Sequence, residues 1–386
     1  IRVARVQALR HPTAGSRRPF LPSFPCDLYS ALALPLRRRW PLTRRAFTAP
    51  LQRPGQRAEA EAWDVIEPDS GHNWINQGES IFDEFFPLAG KGATQSVFEV
   101  VSSGVKTNRD AWCYNSSKAQ VERNMERMID FYNSEVDRYQ ASDKAIKSDD
   151  FISKDPTKIS WDRVQRLDVV RGKKVPYDQS RVVKSAYRPF FTEWIYFDRY
   201  FNNCVYQMPK IIPETAIGNK VIALAGAGSQ REFSCLMSDS LTDIHYVQTG
   251  QCFPLKLYEP ACADDGLFAT GETGYTERDG IGDAGLKHFQ DAYESEKISK
   301  EDLFYYIYGL LHSPHYRERF KNNLSKELPR IPAVKTAADF WAFSKAGRAL
   351  GDLHVTYETV EPYPVVIAEG DLRLANVHNP EAFYRV

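Results

Sequence analysis

SAYRPFFTEWIYFDRYFNNCVYQMPKIIP, residues 185 to 213, sets the terms on which the rest of the chain is read. Tyr187, Phe190, Phe191, Trp194, Tyr196, Phe197, Tyr200 and Phe201 fall within fifteen residues, interleaved with Arg188, Arg199, Asn202 and Asn203. Aromatic side chains bury large areas and dominate packing, so the run predicts a nucleus around which strands and helices collect. Arg, Asn and Tyr beside flat rings are also what a surface needs to hold phosphate and read base edges. Two readings are therefore open: a core alone, or a core with one edge turned to nucleic acid.

Upstream of this run, Val121, Met125, Met128, Ile129, Tyr132 and Val136 recur at helical spacing, and Ser117 with Gln120 has the form of a capping box. A long amphipathic helix is expected over 118–138. SIFDEFFPLAG (80–90) and QSVFEVVSSGV (95–105) alternate as short strands broken by glycine. Downstream, KVIALAGAGS (220–229) reads as a strand entering a glycine turn, TDIHYVQTGQCFPLKLYE (242–259) as two strands about Thr249 and Gly250, and 260–282 as a solvated loop. The last third is helical, each start marked by an oxygen-bearing cap: Asp283, Ser299 with Asp302, Ser313 before Pro314, and Thr336 with Asp339. Gly351 is the expected stop of the fourth helix. The order predicts an α+β fold, a mixed β-sheet region with an aromatic-rich core followed by a helical C-terminal third.

With 386 residues, 42% hydrophobic and 26% charged, the composition is that of a globular chain with room for two domains. No apolar run reaches the ~20 residues a membrane crossing needs. The six cysteines are widely scattered, which offers neither a zinc clamp nor a disulfide framework and suits a reducing cytoplasm. The zero net charge is a cancellation. Residues 1–60 hold twelve Arg, no Lys and two acids, a net of +10, and the remainder carries −10. Any site for a polyanion must therefore be a local basic patch. The Arg- and Pro-rich residues 1–60 hold no apolar period for long. A presequence, a nucleic-acid arm and a non-native start are all compatible with them, and the absence of Lys favours the last, so a disordered or non-native segment is expected.

Chemistry-bearing motifs are sparse. AGAGS (225–229) follows an apolar strand and could bring the backbone at Gly226 and Gly228 to S-adenosylmethionine, but the third glycine of a dinucleotide loop is missing and a plain turn is the simpler reading. No Lys follows the glycines, which excludes a Walker-type loop. His312 and His315 have no Cys or carboxylate at ligand spacing, so no metal site is expected. Cys113 has no evident base, and no Ser stands in a nucleophile elbow. No catalytic residue is assigned.

GVKTNRDAWCYN (104–115), YRPFFTEWIYFDRYFNN (187–203), YQMPKIIP (206–213), QCFPLKLYE (251–259), DGIGDAGLKHFQDAY (279–293), EDLFYYIYGLLHSPHYRERFKNNLSKELPRIP (301–332) and DFWAFSKAGRALGDLHVTYETVEPYP (339–364) resemble, in order, the C-terminal part of the single-chain type ISP restriction–modification enzymes. The resemblance implies a parent polypeptide with nuclease, helicase-type ATPase, N6-adenine methyltransferase and target recognition domains, acting in phage defence and using S-adenosylmethionine, ATP and Mg. For this chain it implies the end of the methyltransferase core over 61–105 and a target recognition domain over 106–386, truncated at its C-terminus. NPEA (379–382) shares only two residues with the catalytic Asn-Pro-Pro-aromatic motif, so no cofactor is expected in this chain itself. The expected partners are double-stranded DNA and the remaining domains of the parent.

GVKTNRDAW is similar to the junction where adenine methyltransferase cores enter their recognition domains. That likeness carries a DNA-facing role onto Lys106, Thr107, Asn108 and Arg109. Arg188, Arg199, Lys210 and Arg231 are the further expected phosphate contacts, and Asn108, Asn202, Asn203 and Gln207 the expected base readers, since amides pair with the major-groove edge of adenine. An adenine methyltransferase active by itself, using Gly226 and Gly228, and a non-functional fragment are the two alternatives.

Overall fold

A computed structural model describes residues 46–48, 64–69, 72–90, 95–213, 218–229, 231–260 and 274–361. Two units divide at Glu67. In the first, Ala46–Thr48 pairs antiparallel with Asp64–Ile66, Phe47 opposite Val65. Three residues are too few to show a strand period in sequence. The rest of 1–60 lies outside the described residues, as does the expectation placed on it.

The second unit is built on two four-stranded sheets. The aromatic run supplies the centre of one. Val182–Arg188 and Phe191–Tyr196 form a hairpin whose tip, Pro189–Phe190, puts Phe190 at φ +55°, with Tyr114–Asn115 on one side and the parallel strand Leu241–Thr242 on the other. The other sheet has the order Ser102–Ser103, Gln251–Pro254, Val221–Leu224, Cys235–Ser238, antiparallel throughout.

Side-chain alternation explains how these layers stack. The helix Lys118–Gln140 buries the whole predicted face, Val121 to Val136, against Val182, Tyr196 and Phe201 of the first sheet and the segment after it. Ile195, Ala186 and Phe197 join Val221, Ala223 and Cys252 in a core between the sheets. Ile222 and Leu224, pointing the other way, pack with Met237, Phe253 and the helix Lys300–Leu311. Because successive residues of a strand face opposite sides, a strand buried on both faces reads as an unbroken apolar run, and Val221–Leu224 does. The expectation of mixed strands about an aromatic core with a helical last third is met.

Three of the C-terminal helices start as the caps predicted. Ser299 and Asp302 form a reciprocal capping box, and the hydroxyls of Ser313 and Thr336 accept from the amides of Tyr316 and Asp339. Helices Lys300–Leu311 and Ala337–Val355 cross at two glycines: a Cβ on Gly309 would lie 2.2 Å from the Phe343 carbonyl oxygen, and one on Gly347 2.0 Å from that of Tyr305.

Several local expectations fail, some of them to a tertiary contact. Ser80–Glu84 is a 3-10 turn, because Phe82 and Phe85 must share one side to pack on Phe320. Within 95–105 only Ser102–Ser103 is a strand, with an isolated bridge from Phe98 to Ile281. The loop expected over 260–282 contains a strand, Tyr275–Asp279, paired with Lys256–Pro260 and joined across the pair by Lys256 to Glu277 and Asp279 at 3.0 and 2.9 Å. Asp283 lies inside its helix, after Gly282 at the cap. Ser117 caps without a side-chain bond. Gly351 does not end its helix; it makes room for Met237, whose sulfur would lie 2.6 Å from an added Cβ.

Candidate nucleic-acid interface

The junction stretch 104–115 and the aromatic stretch 185–213 lie side by side. Lys106 N donates to the Cys204 carbonyl at 2.8 Å, Cys204 N to that of Lys106 at 2.9 Å, and Asn203 N to that of Thr107 at 3.4 Å. This backbone pairing brings the junction segment 104–110 against the segment that follows the hairpin. Along the resulting seam Asn108, Asn203, Tyr206 and Gln207 are exposed and Lys106 is half-buried. Asn108 and Tyr206 both take positive φ, +56° and +48°, conformations that cost a non-glycine residue free energy and often mark functional loops. Lys210 is exposed at the following turn, Met208–Ile211.

Three expected contact residues turn inward instead. Arg109 is buried; its guanidinium bonds Gln165 Oε1 at 2.9 Å and lies 3.1 Å from Asp162. Thr107 is buried and its hydroxyl bonds the Asp110 carboxylate. Asn202 is buried, accepting from the Asp198 amide at 2.9 Å and donating to the Tyr196 carbonyl at 3.1 Å. Burial counts against Arg109 as a phosphate contact and Asn202 as a base reader: the Arg109 terminal nitrogens turn to Gln165 and Asp162, its Nε stays buried without a partner, and the Asn202 amide is taken up by the backbone at Asp198 and Tyr196. Thr107 shapes the turn rather than facing a ligand.

From the seam a chain of contacts leads to Arg188. Asp110 accepts from the Tyr187 hydroxyl at 3.2 Å, the Arg188 guanidinium stacks 3.8 Å from the Tyr187 ring centre, and its Nη1 donates to Asp243 at 2.7 Å. Burial raises the Asp243 carboxyl above its usual range, against the pull of its His245 amide bond and of Arg188. Arg188 in turn borders an open cleft of about 970 Å³ whose walls include Arg231, His245, Gln248, His312 and Arg317. Arg188 and Arg231 thus share one cleft, whereas Arg199 is exposed on the turn after the hairpin and joins neither group by a bond among the described residues.

Sequence reasoning missed Phe190, His245 and Arg317 as neighbours of this site. Phe190 is exposed at the hairpin tip, edge-on to His354 and Tyr357. A Pro-Phe pair at a hairpin turn was the available signal for it. Arg317 stands 129 positions from Arg188 in sequence, and no local pattern joins them.

The glycine loop does not suit a cofactor. Gly226 N donates to the Gln248 carbonyl at 3.3 Å and Gly228 N to that of Ser325 at 3.2 Å, so the amides a phosphate or methionine group would need are already taken. A Cβ on Gly226 would lie 2.6 Å from the Thr249 carbonyl oxygen, so this glycine serves a close backbone approach within the protein. Among the described residues no group of three or more His, Cys, Asp or Glu is placed to hold a metal, and no helix is long and apolar enough to cross a membrane.

Comparison with known proteins gives this geometry a context. No curated protein matches the chain. Solved structures do, among them a nuclease-deletion mutant of the Type ISP restriction-modification enzyme LlaGI in complex with a DNA substrate mimic (33% identity, TM-score 0.64, 79% of this chain and 26% of that one), a DrdV–DNA complex (31%, 0.63, 80% and 29%), and the ATP-dependent Type ISP restriction-modification enzyme LlaBIII bound to DNA (30%, 0.65, 79% and 18%). The chain thus spans less than a third of the length of each. Residues 96–386 match the family described as the Type ISP C-terminal specificity domain. On that match, over most of its length, this chain belongs to the Type ISP C-terminal specificity domain family.

Proposed function

We propose that this chain reads the sequence of double-stranded DNA on behalf of a longer restriction–modification polypeptide, and performs no methyl transfer itself. The observation that carries the reading is the Lys106–Cys204 backbone pairing, which sets exposed amides (Asn108, Asn203, Gln207) beside basic groups (Lys106, Lys210). Amide side chains can pair bidentately with adenine, each good contact supplying about 1–3 kcal/mol of discrimination, while the cations position the backbone. Supporting it, the three similar structures are described as having DNA or a DNA substrate mimic bound. S-adenosylmethionine, ATP and Mg then belong to other parts of the parent, where N6-adenine methylation and ATP-driven cleavage would be carried out. Domain boundaries near 61–105 and 106–386 fit this division of labour.

The test is selection of duplexes from a random library by the purified chain, at two salt concentrations. One enriched motif is expected. Pools that stay random while wild-type protein remains folded would overturn the reading, and transfer of labelled methyl from S-adenosylmethionine to DNA by this chain alone would favour the independent methyltransferase.

A further inference from the structure

The arginines of this unit are mostly matched by acids: Arg109 by Asp162, Arg188 by Asp243, Arg348 by Glu301. Arg231 and Arg317 differ. Both line the 970 Å³ cleft and a second one of about 510 Å³ beside it, and among the described residues neither is bonded to a carboxylate. Two acids share these walls: Glu232, which faces Lys321 at 3.4 Å, and Glu318, which lines the smaller cleft and makes no ion pair with either arginine among the described residues. In a body that carries −10 overall, two unneutralised guanidinium groups on one cleft wall make a local field that attracts anions.

Arg317 is also held in position. Its Nε donates to the Leu311 carbonyl at 2.6 Å and its Nη2 bonds His312 Nδ1 at 3.2 Å. Burial, and then the Arg317 charge, push His312 down to about 3, so near neutral pH its ring is uncharged and its Nδ1 accepts from Arg317. A planar guanidinium fixed on one side presents its remaining donors without a large ordering cost, which favours a tetrahedral oxyanion. Flat groups, Phe190 and Tyr246 among them, line the same cleft and suit the sugar or base beside such an anion.

We infer that this cleft binds a phosphate group between Arg231 and Arg317, carried either by a DNA strand or by a free nucleotide. The DNA-borne case rests on the proposed function and adds to it a positioning site, separate from the amide-lined seam, that supplies affinity without reading sequence. Arg317 enters here as a contact residue from outside the segments that form the amide-lined seam.

The experiment uses the full chain and its R231Q/R317Q variant, with R231K/R317K as the charge-retaining control. Binding to the selected duplex and to a scrambled one is titrated across salt, and dAMP and inorganic phosphate are titrated by calorimetry. For a strand phosphate, the Gln pair lowers the magnitude of the log K against log[salt] slope by about two, weakens both duplexes alike, and the Lys pair keeps the wild-type slope. An unchanged slope together with dAMP binding that the Gln pair abolishes assigns the cleft to a free nucleotide instead. An unchanged slope with no dAMP or phosphate binding to wild type overturns the inference while leaving the proposed function intact. If wild type binds no duplex, the proposed function falls and the dAMP and phosphate titrations alone decide the cleft. Should the Gln pair lose its thermal transition, competition of wild-type DNA binding by inorganic phosphate at constant ionic strength decides: competition supports the site, and its absence overturns it.

Discussion

Arg109 and Asp162, 3.1 Å apart and with the arginine side chain almost fully enclosed, tie the junction segment to the helix Arg163–Arg171. The same Asp162 caps that helix, accepting from the amides of Val164 and Gln165, and Gln165 bonds the guanidinium at 2.9 Å. One arginine therefore fixes the start of a helix more than fifty positions away. Breaking such a buried pair from one side strands the other charge and typically costs about 3–5 kcal/mol. Arg109→Ala is expected to lower the urea midpoint by an amount of that order, and Arg109→Lys to restore little, since an ammonium cannot reach both partners as a planar fork does. A variant as stable as wild type, with only DNA affinity reduced, would return Arg109 to the DNA face.

The amide-lined seam makes a different prediction. Asn203→Ala and Gln207→Ala should relax preference at one base pair each, by about 1–3 kcal/mol, with thermal stability unchanged. Lys106→Ala should weaken all duplexes equally and reduce the salt slope by about one. Competitive binding to single-substituted duplexes separates the two behaviours.

Cys204 offers a chemical probe of the same place. It is half-buried between Lys106 and Asn203, whereas burial pushes the thiols of Cys113, Cys235 and Cys252 up to about 12. A maleimide should label Cys204 in the native protein and leave those three unmodified until denaturant is added, as peptide mapping would show. Bound duplex should protect Cys204, and a bulky adduct there should abolish binding. Equal labelling with and without DNA counts against the seam.

His312 gives the stability a pH dependence with a definite sign. Its pKa is about 3 in the folded state against 6.5 ordinarily, so the unfolded chain binds the proton more readily. Stability from this residue is intact above about pH 6.5 and is lost progressively as pH falls towards 3, amounting to about 2 kcal/mol by pH 5. His312→Asn, which keeps an acceptor for Arg317, should flatten the denaturation profile between pH 6.5 and 5 relative to wild type. Parallel profiles would show that the ring is not kept neutral by the fold.

At the helix crossing, Gly309→Ala and Gly347→Ala each place a methyl group within about 2 Å of a facing carbonyl oxygen. Backbone cannot yield there as a flexible side chain could. Each should destabilise by about 1–3 kcal/mol despite alanine's better helix propensity, read as a lower urea midpoint.

The sequence by itself determined what depends on near neighbours. The buried face of Lys118–Gln140, the caps at Ser299, Ser313 and Thr336, and the apolar strand Val221–Leu224 all follow from contacts within a few positions, whose periods of 3.6 and 2 are written in the chain. The ordered motifs were enough to place the chain in its family, and the aromatic run did form the central hairpin. Tertiary structure decided which polar residues look outward. Lys106, Arg109, Asn202 and Asn203 are alike in type and share the same two stretches, yet Asp162 and Gln165 draw Arg109 inside and the Asp198 turn closes over Asn202, leaving Lys106 and Asn203 on the surface. Arg231 and Arg317 meet on one cleft wall only because strand Cys235–Ser238 and the helices after it pack into a common core. Burial of a charge is set by the partners that compensate it, and here those partners lie tens of positions away.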